Sequence, residues 1–288
     1  MNKYHAKELL LWIGLMLREG GNRQELYWLL DILGGIEITL LNQLKNNPDR
    51  IFLLRSTLDQ MRDVWMGYLR REIPLQYLVG KCYWRDFEVE ISPDTLIPRP
   101  ETELIVDFAL DKIKGLSQGK WADLGTGSGV LAIAMARELP DWHGFAVDCS
   151  QSALSIASSN LSRLAPNAKV SIELGDWWKP LKPIWGTIDL AISNPPYIPT
   201  MIFDKLDCLV RENEPALALC GGIDGLEHCR KLVLGAAKGL AIGGWLIFEH
   251  HYDQSEKALE LMKLNGFIDL ETLHDLEGVR RFAVGRRS

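Results

Sequence analysis

Apolar, strand-like runs alternate with helical patterns from Lys120 to the end of the chain, and this alternation restricts the fold more than any other feature of the sequence. Such alternation favours a sheet of parallel strands joined by helical crossovers. The predicted strands are 121–124, 144–148, 170–174, 188–193 and 245–249, with helices such as 129–137 and 150–164 between them. Two later strands, 267–273 and 281–286, have no helix between them, so we expect the last strand to be antiparallel. The sequence therefore predicts a seven-stranded α/β sheet.

A glycine-rich segment follows the first predicted strand and begins a helix. It reads Asp123-Leu124-Gly125-Thr126-Gly127-Ser128-Gly129. Glycines allow the backbone to approach a ligand closely. Their spacing is G-x-G-x-G, which differs from the G-x-G-x-x-G spacing that seats a dinucleotide pyrophosphate on a helix N-terminus. The segment predicts a ligand site with little affinity for NAD.

Two carboxylates and a tryptophan follow the next two strands. Asp148 is placed to accept hydrogen bonds from a ribose diol, Asp176 can accept from the exocyclic amine of adenine, and Trp177 can cover the adenine ring. With Asp123, these loops hold three carboxylates and no basic residue, which suits a ligand with hydroxyls, an amine and a positive charge, such as S-adenosylmethionine. Strand-end aspartates are common in α/β proteins and Trp177 can equally be a core residue. Their order at successive strand ends favours a binding site.

The fourth strand ends in Ser193-Asn194-Pro195-Pro196-Tyr197. Prolines carry no N–H, so the free polar groups there are mostly acceptors, namely the Asn194 side-chain oxygen and the Pro195 carbonyl. Two acceptors around a planar –NH₂ group free its lone pair for attack on an electrophile, and each well-placed group contributes about 3–4 kcal/mol. Tyr197 offers a flat face to such a group. A simple turn is the alternative interpretation of the motif.

Residues 1–78 show helical periodicity and no clear strand pattern. We predict a first helix that ends at Gly20-Gly21, a second over 23–33 capped by Asn22, a third over 36–45 and a last over 51–71 that is broken once. A small helical bundle without acid–base groups is typical of a substrate-recognition module. Residues 79–97 predict a β-hairpin linker around Arg85-Asp86, and residues 98–288 predict the sheet domain.

Composition excludes several classes of protein. A net charge of −6 argues against an extended nucleic-acid surface. The five cysteines are scattered without a C-x-x-C pair, which favours a reducing, cytoplasmic compartment and no structural metal. The apolar run 9–17 lacks a cleavage site, and the run 232–248 is interrupted by Lys238 and glycines. We therefore expect no signal peptide and no membrane partner.

The motifs together resemble the release factor glutamine methyltransferases, the PrmC/HemK family of Rossmann-like S-adenosylmethionine-dependent methyltransferases. The Asn-Pro-Pro-Tyr motif is shared by enzymes that methylate DNA adenine, RNA guanine and protein glutamine. The wider resemblance rests on residues 72–80, 96–103 and 214–217, and on the order of bundle, hairpin and catalytic domain. The family's Glu-x-Gly after the fifth strand is Glu249-His250-His251 here, so this segment departs from the family pattern.

The resemblance implies methyl transfer to the side-chain amide nitrogen of the glutamine in the Gly-Gly-Gln loop of peptide-chain release factors, with S-adenosylhomocysteine as product. It implies that Asn194, Pro195, Pro196 and Tyr197 hold the glutamine, with Asn194, Pro195 and Tyr197 as the catalytic set. The residues implied to contact the cofactor are Gly125, Thr126, Gly127, Ser128, Gly129, Asp148, Trp177 and Asn194.

Two alternatives stay open at this point. A nucleic-acid amino-methyltransferase would use the same pocket for the exocyclic amine of adenine or guanine, although the acidic balance of the chain disfavours direct nucleic-acid contact. A non-catalytic binding protein would keep the fold without turnover, although the intact pocket motifs disfavour it.

Overall fold

The computed structural model describes all residues from Met1 to Ser288, which form two compact units. The helical unit comprises Met1–Cys82 and Cys208–Asn213, and the sheet unit comprises Tyr83–Asp207 and Glu214–Ser288. The helices are α1 (Ala6–Glu19), α2 (Arg23–Leu29), α3 (Ile38–Lys45), α4 (Leu58–Arg71), α5 (Leu75–Val79), α6 (Leu104–Lys112), α7 (Val130–Glu138), α8 (Gln151–Leu164), α9 (Thr200–Phe203), α10 (Cys208–Arg211), α11 (Ala216–Leu219), α12 (Glu227–Gly239) and α13 (Ser255–Leu264). The strands are β1 (Asn2–His5), β2 (Ile51–Leu54), β3 (Lys81–Trp84), β4 (Phe87–Glu90), β5 (Lys120–Leu124), β6 (His143–Asp148), β7 (Lys169–Leu174), β8 (Ile188–Ser193), β9 (Leu240–Glu249), β10 (Phe267–His274) and β11 (Arg280–Arg287).

The helical unit confirms the predicted starts and stops of its first helices. α1 ends just before Gly20, and Asn22 caps α2 because its side chain accepts a hydrogen bond from the Glu25 backbone N–H at 2.9 Å. α2 passes into a π-helical turn, Leu30–Gly34. Leucines that recur at helical spacing face a common core, which includes Leu26 and Leu29.

A small antiparallel sheet in the helical unit corrects the sequence prediction. β1 pairs with β2, with Asn2 opposite Leu54 and His5 opposite Ile51. The expectation that residues 1–78 contain no strand is therefore wrong, and so is the helical start at residue 51, because α4 starts only at Leu58. The run 51–54 alternates exposed and buried side chains. Its pairing strand precedes the first helix, so local periodicity gives no indication of it.

The seven strands of the sheet unit lie in the order β10-β11-β9-β8-β5-β6-β7. Neighbouring strands from β5 to β9 are parallel, and β11 is antiparallel to both β9 and β10. The predicted seven-stranded Rossmann-like sheet and its antiparallel last strand are confirmed. The predicted hairpin is also confirmed, since β3 and β4 form a two-stranded sheet.

Helices cover the large sheet and bury its apolar side chains. α7 and α8 pack against β6, α12 packs against β9, and α13 packs against β10 and β11. Leu124, Val147 and Leu246 on the strands form one core with Leu232 and Val233 on α12. Burial of each such side chain contributes about 1.5–3 kcal/mol. The core therefore holds the strand ends in fixed positions.

The strand order reverses between β5 and β8. The chain runs outward from β5 through β6 to β7 and then returns to β8 on the other side of β5. In open parallel sheets, ligands bind beyond the carboxyl ends of the strands next to such a reversal. The glycine-rich segment follows β5 and the Asn-Pro-Pro-Tyr segment follows β8. The topology thus brings the two motifs to the same edge of the sheet.

Candidate active site

A cavity of about 390 Å³ lies beyond the carboxyl ends of β5, β6, β7 and β8. Its lining joins most of the residues that the sequence predicted for a cofactor and for an amide. The predicted residues that line it are Gly125, Thr126, Gly127, Ser128, Asp148, Asp176, Trp177, Asn194 and Pro196. Gly129, Pro195 and Tyr197 are not among the lining residues.

The glycine-rich turn depends on backbone conformations that only glycine adopts easily. Gly125, Gly127 and Gly129 all have positive φ, at 80°, 55° and 87°. Gly129 packs directly on α8, where an added Cβ would lie 3.2 Å from the Ala157 Cα atom. Gly129 therefore shapes the turn from behind, while Gly125 and Gly127 face the cavity.

Asp123 stabilises the turn from below. Its carboxylate accepts hydrogen bonds from the Thr126 hydroxyl at 2.6 Å and the Ala132 N–H at 3.1 Å, while its other oxygen has no partner. Complete burial raises the pKa of Asp123 to about 7, although the bond from Thr126 acts in the opposite direction.

Asp148 lies beside the same turn. One carboxylate oxygen accepts from the Gly127 N–H and the other from the Ser150 N–H, each at 2.9 Å. Every carboxylate oxygen has a second lone pair, so both can accept a further hydrogen bond from a ligand. The two backbone bonds fix the direction in which these lone pairs point.

Asp176 and Trp177 form the wall after β7. Trp177 has a left-handed backbone with φ of 53°, and its ring lies against Gly125. The Asp176 carboxylate pairs with the Lys179 ammonium at 2.7 Å in an exposed ion pair. His228 of α12 completes this wall with its ring 5.7 Å from that of Trp177, and burial lowers its pKa. The wall offers a flat aromatic surface next to the turn.

Asn194 faces the cavity in a defined orientation. Its side-chain N–H donates to the Thr102 hydroxyl oxygen at 2.9 Å. The Asn194 side-chain oxygen and the Pro195 carbonyl oxygen accept no hydrogen bond from the protein. The Asn194 oxygen is thus available to a ligand in the cavity, whereas Pro195 is buried and does not line it.

Glu249 is a site residue that the sequence analysis did not find as such. It lies at the end of β9, is 1% exposed, and accepts from the Tyr197 hydroxyl at 2.9 Å and from the Thr102 hydroxyl at 2.7 Å. Burial raises the pKa of Glu249, while the two donors and the Arg281 charge act in the opposite direction. Burial also raises the pKa of Tyr197 well above its ordinary value, and the Glu249 charge adds to this. The Tyr197 phenol therefore stays protonated and donates a hydrogen bond to Glu249.

Two further contacts support the cavity wall. Glu214 is buried, and its two oxygens accept from the Arg99 guanidinium at 2.5 Å and from the Ile97 N–H at 3.2 Å. Gln254 donates to the Tyr197 carbonyl at 3.0 Å. The segments containing Arg99 and Glu214 were noted only for their family resemblance, since nothing in their spacing indicates that they pair.

His250 and His251, in the segment that departs from the family pattern, have local partners. His250 is fully buried and its Nδ1 lies 2.8 Å from the His251 carbonyl. The His251 ring lies 2.6 Å from an Asp253 oxygen. Burial lowers the pKa of His250.

The sheet order, the glycine-rich turn and the acceptor corner, which consists of the Asn194 side-chain oxygen and the Pro195 carbonyl, together define a Rossmann-like methyltransferase. A family model described as "Methyltransferase small domain" matches residues 102–211. A release factor glutamine methyltransferase of Prochlorococcus marinus is 51% identical over 286 residues, which cover 99% of this chain and 98% of the relative. Another from Thermosynechococcus vestitus is 38% identical and covers 93% and 92% of the two chains. The chain belongs to the release factor glutamine methyltransferase family.

A solved structure supports the fold independently. The catalytic domain of hMettl16, in complex with a MAT2A 3′UTR hairpin, has a TM-score of 0.58 and covers 96% of this chain and 90% of that one. Its sequence identity is 13%, so the likeness concerns the fold alone. No helix of the present structure has the length and apolarity needed to cross a membrane.

Proposed function

We propose that this protein transfers a methyl group from S-adenosylmethionine to the side-chain amide nitrogen of the glutamine in the Gly-Gly-Gln motif of peptide-chain release factors. The family membership supports the reaction. The observation that carries the proposal is the cavity that joins the glycine-rich turn to the Asn194 side chain, whose oxygen accepts no hydrogen bond from the protein. The Pro195 carbonyl, next in the chain, is a second acceptor without a protein donor. The release factor is accordingly the proposed protein partner.

The residues of the turn fit the proposed cofactor. Gly127 lines the cavity with no atom within 4 Å of where its Cβ would stand, so the backbone is open to a ligand. Asp148 offers fixed lone pairs for a ribose diol, Asp176 an acceptor for the adenine amine, and Trp177 a surface for the ring. Gly125, Thr126, Ser128 and Gly129 shape the same turn. When bound, the cofactor supplies an electrophilic methyl group on a positively charged sulfur.

The acceptor corner makes the amide reactive. The Asn194 oxygen and the Pro195 carbonyl accept the two amide hydrogens of the glutamine, which frees the nitrogen lone pair that is otherwise delocalised. The nitrogen then forms a bond to the methyl carbon as the bond from carbon to sulfur breaks. The nitrogen gives up one proton to water, and S-adenosylhomocysteine remains. Holding both reactants in line supplies much of the acceleration.

Pro196 and Tyr197 complete the corner in this proposal. Pro196 lines the cavity, and Tyr197 is held by Glu249 and Gln254. The boundaries proposed from the sequence assign residues 1–78 to substrate recognition, 79–97 to a linker and 98–288 to catalysis. We place the reaction in the cytoplasm, where translation terminates.

The test combines product mapping with one substitution. Wild-type protein and Asn194→Ala are incubated with purified release factor and S-adenosylmethionine, and the modified peptide is mapped by mass spectrometry. We expect one methyl group on the Gly-Gly-Gln glutamine, and a loss of about 100- to 1000-fold in kcat for the variant. Binding of S-adenosylhomocysteine should change only a few-fold.

DNA and ribosomal RNA serve as competing substrates in the same assay. Methyl incorporation into either nucleic acid in place of the release factor would contradict the proposed function. Near wild-type turnover by Asn194→Ala would contradict the role of the acceptor corner.

A further inference from the structure

Two hydrogen bonds connect the Asn194 side chain to a buried carboxylate outside the cavity, and a third connects Tyr197 to the same carboxylate. Asn194 Nδ2 donates to Thr102 Oγ1 at 2.9 Å, and Thr102 Oγ1 donates to Glu249 Oε2 at 2.7 Å. The Tyr197 hydroxyl donates to the other oxygen, Glu249 Oε1, at 2.9 Å. Thr102 is 3% exposed and Glu249 is 1% exposed, so water does not compete for these groups.

The chemistry of the three groups fixes the direction of the chain. In its ionised form Glu249 only accepts hydrogen bonds, so it takes the single hydroxyl hydrogen of Thr102. The Thr102 oxygen then has only lone pairs left for Asn194. Asn194 must therefore present its –NH₂ group to Thr102, which turns its carbonyl oxygen away from Thr102.

This direction matters because an asparagine amide has two orientations of nearly the same shape. In one orientation it offers an acceptor to the cavity, and in the other it offers a donor. A donor would repel the –NH₂ group of a substrate amide and leave its lone pair delocalised. The orientation of Asn194 thus decides whether the corner can activate an amide at all.

We propose that Thr102 and Glu249 are positioning residues that hold the Asn194 amide with its oxygen toward the cavity. Glu249 also holds Tyr197 through the second oxygen, so one carboxylate orients both ends of the Asn-Pro-Pro-Tyr segment. Glu249 does not line the cavity, and Thr102, which does, acts in this proposal through Asn194. The inference rests on the proposed function, because it concerns the acceptor used in that reaction.

The central test compares two substitutions at Thr102. Thr102→Val keeps the shape and removes the hydroxyl, whereas Thr102→Ser keeps the hydroxyl. We expect Thr102→Val to lower kcat by about 10- to 100-fold. KM for the release factor and the Kd for S-adenosylhomocysteine should stay within about threefold of wild type. Thr102→Ser should restore most of the lost kcat.

A double-mutant cycle separates positioning from general damage. If Thr102 acts through Asn194, Thr102→Val should have no further effect on kcat in the Asn194→Ala background. A multiplicative loss in the double variant would overturn the inference. So would unchanged kcat in Thr102→Val, or a loss explained by weaker cofactor binding.

Glu249→Gln tests the carboxylate by its pH profile. Protonated Glu249 can donate to Thr102 and so reverse the chain, and kcat of the wild type should therefore fall as the pH falls through the pKa of this group. Its charged neighbours are Glu101 before α6 and Arg281 on β11, and the neutral Tyr197 phenol is its titratable hydrogen-bond partner. Glutamine does not titrate, so the acid limb should disappear in the variant. An unchanged acid limb would rule out Glu249 as the group whose protonation lowers kcat.

An activity-independent measurement distinguishes this inference from the proposed function. In protein labelled with ¹⁵N-asparagine, the Asn194 side-chain NH₂ signal is identified by its loss in Asn194→Ala. We expect its hydrogens to exchange faster with solvent in Thr102→Val than in wild type or Thr102→Ser. Equal exchange in all three proteins would refute the positioning role, whatever the substrate. If the exchange rates differ as expected but the wild type does not methylate release factor, the result would contradict the proposed function alone.

Discussion

At the scale of single residues, burial perturbs the protonation of Asp123 beside the glycine-rich turn. Its carboxylate is fully buried at the end of β5, and one of its oxygens has no hydrogen-bond partner. Isolated burial of a charge is costly, and the group therefore holds its proton to higher pH. The same residue anchors the glycine-rich turn through Thr126. The turn is thus tied to a group that titrates near neutrality.

Asp123 should make stability depend on pH. The pKa is raised from 3.8 to about 7 in the folded chain. Between these values the folded state keeps a proton that the unfolded state has released, so the free energy of unfolding falls as the pH rises and levels off above about 7. Between pH 4 and pH 8, the free energy of unfolding of the wild type should fall by about 2–4 kcal/mol more than that of Asp123→Asn. Urea denaturation without cofactor measures this difference. Parallel pH profiles of the two proteins would contradict the prediction.

At the scale of elements, the cavity depends on a loop held by a distant carboxylate. The segment Pro93–Arg99 lines the cavity and has no regular secondary structure. Glu214, which precedes α11, ties this segment down through the Ile97 N–H and the Arg99 guanidinium. Removing one partner of a buried ion pair leaves the other partner without its hydrogen bonds, which destabilises the fold. The loop should therefore be sensitive to loss of Glu214.

Glu214→Ala should lower both stability and cofactor affinity. We expect a loss of about 2–4 kcal/mol in the free energy of unfolding, below the full value for a buried pair because Arg99 is one-third exposed. The matched control is Glu271→Ala, which breaks the more exposed ion pair to Lys112 and should cost less than about 1 kcal/mol. Urea denaturation and titration with S-adenosylhomocysteine measure the two effects. Equal stability of the two variants would contradict the structural argument.

At the scale of the whole molecule, two separate cores support two units. One core contains helical residues such as Leu9, Leu26 and Trp65, and the other contains sheet-unit residues such as Leu124 and Phe248. The predicted cofactor residues all belong to the sheet unit. Ligand binding should therefore act on the stability of one unit more than on the other.

Hydrogen exchange measures this difference. With S-adenosylhomocysteine at about 100 times its Kd, the sheet unit should gain about 2.7 kcal/mol. Amides of β5, β6 and β8 should exchange more slowly, while locally opening amides of α1 to α4 should change little. The Asn194→Ala variant is the control: it should fold, bind the ligand and show the same protection as the wild type. Equal protection of both units, or none in the sheet unit, would contradict the assignment of the site.

The sequence by itself determined the sheet unit and the position of the candidate site. Strand–helix alternation predicts a parallel sheet, and parallel strands bring their carboxyl ends to one edge, so Gly125, Asp148, Trp177 and Asn194 had to converge. These features are local patterns joined by a topological rule. They require no knowledge of which side chains touch.

Only the tertiary structure decided the partners that lie far apart along the chain. β1 pairs with β2 across the first three helices, and Glu214 meets Arg99 across 115 residues. Thr102 meets Asn194 across 92 residues and Glu249 across 147. A hydrogen bond depends on direction and distance in space, and a separation of this size leaves no periodic trace in a single sequence. The acceptor corner could be predicted from its prolines, but the groups that orient it became visible only once the chain was folded.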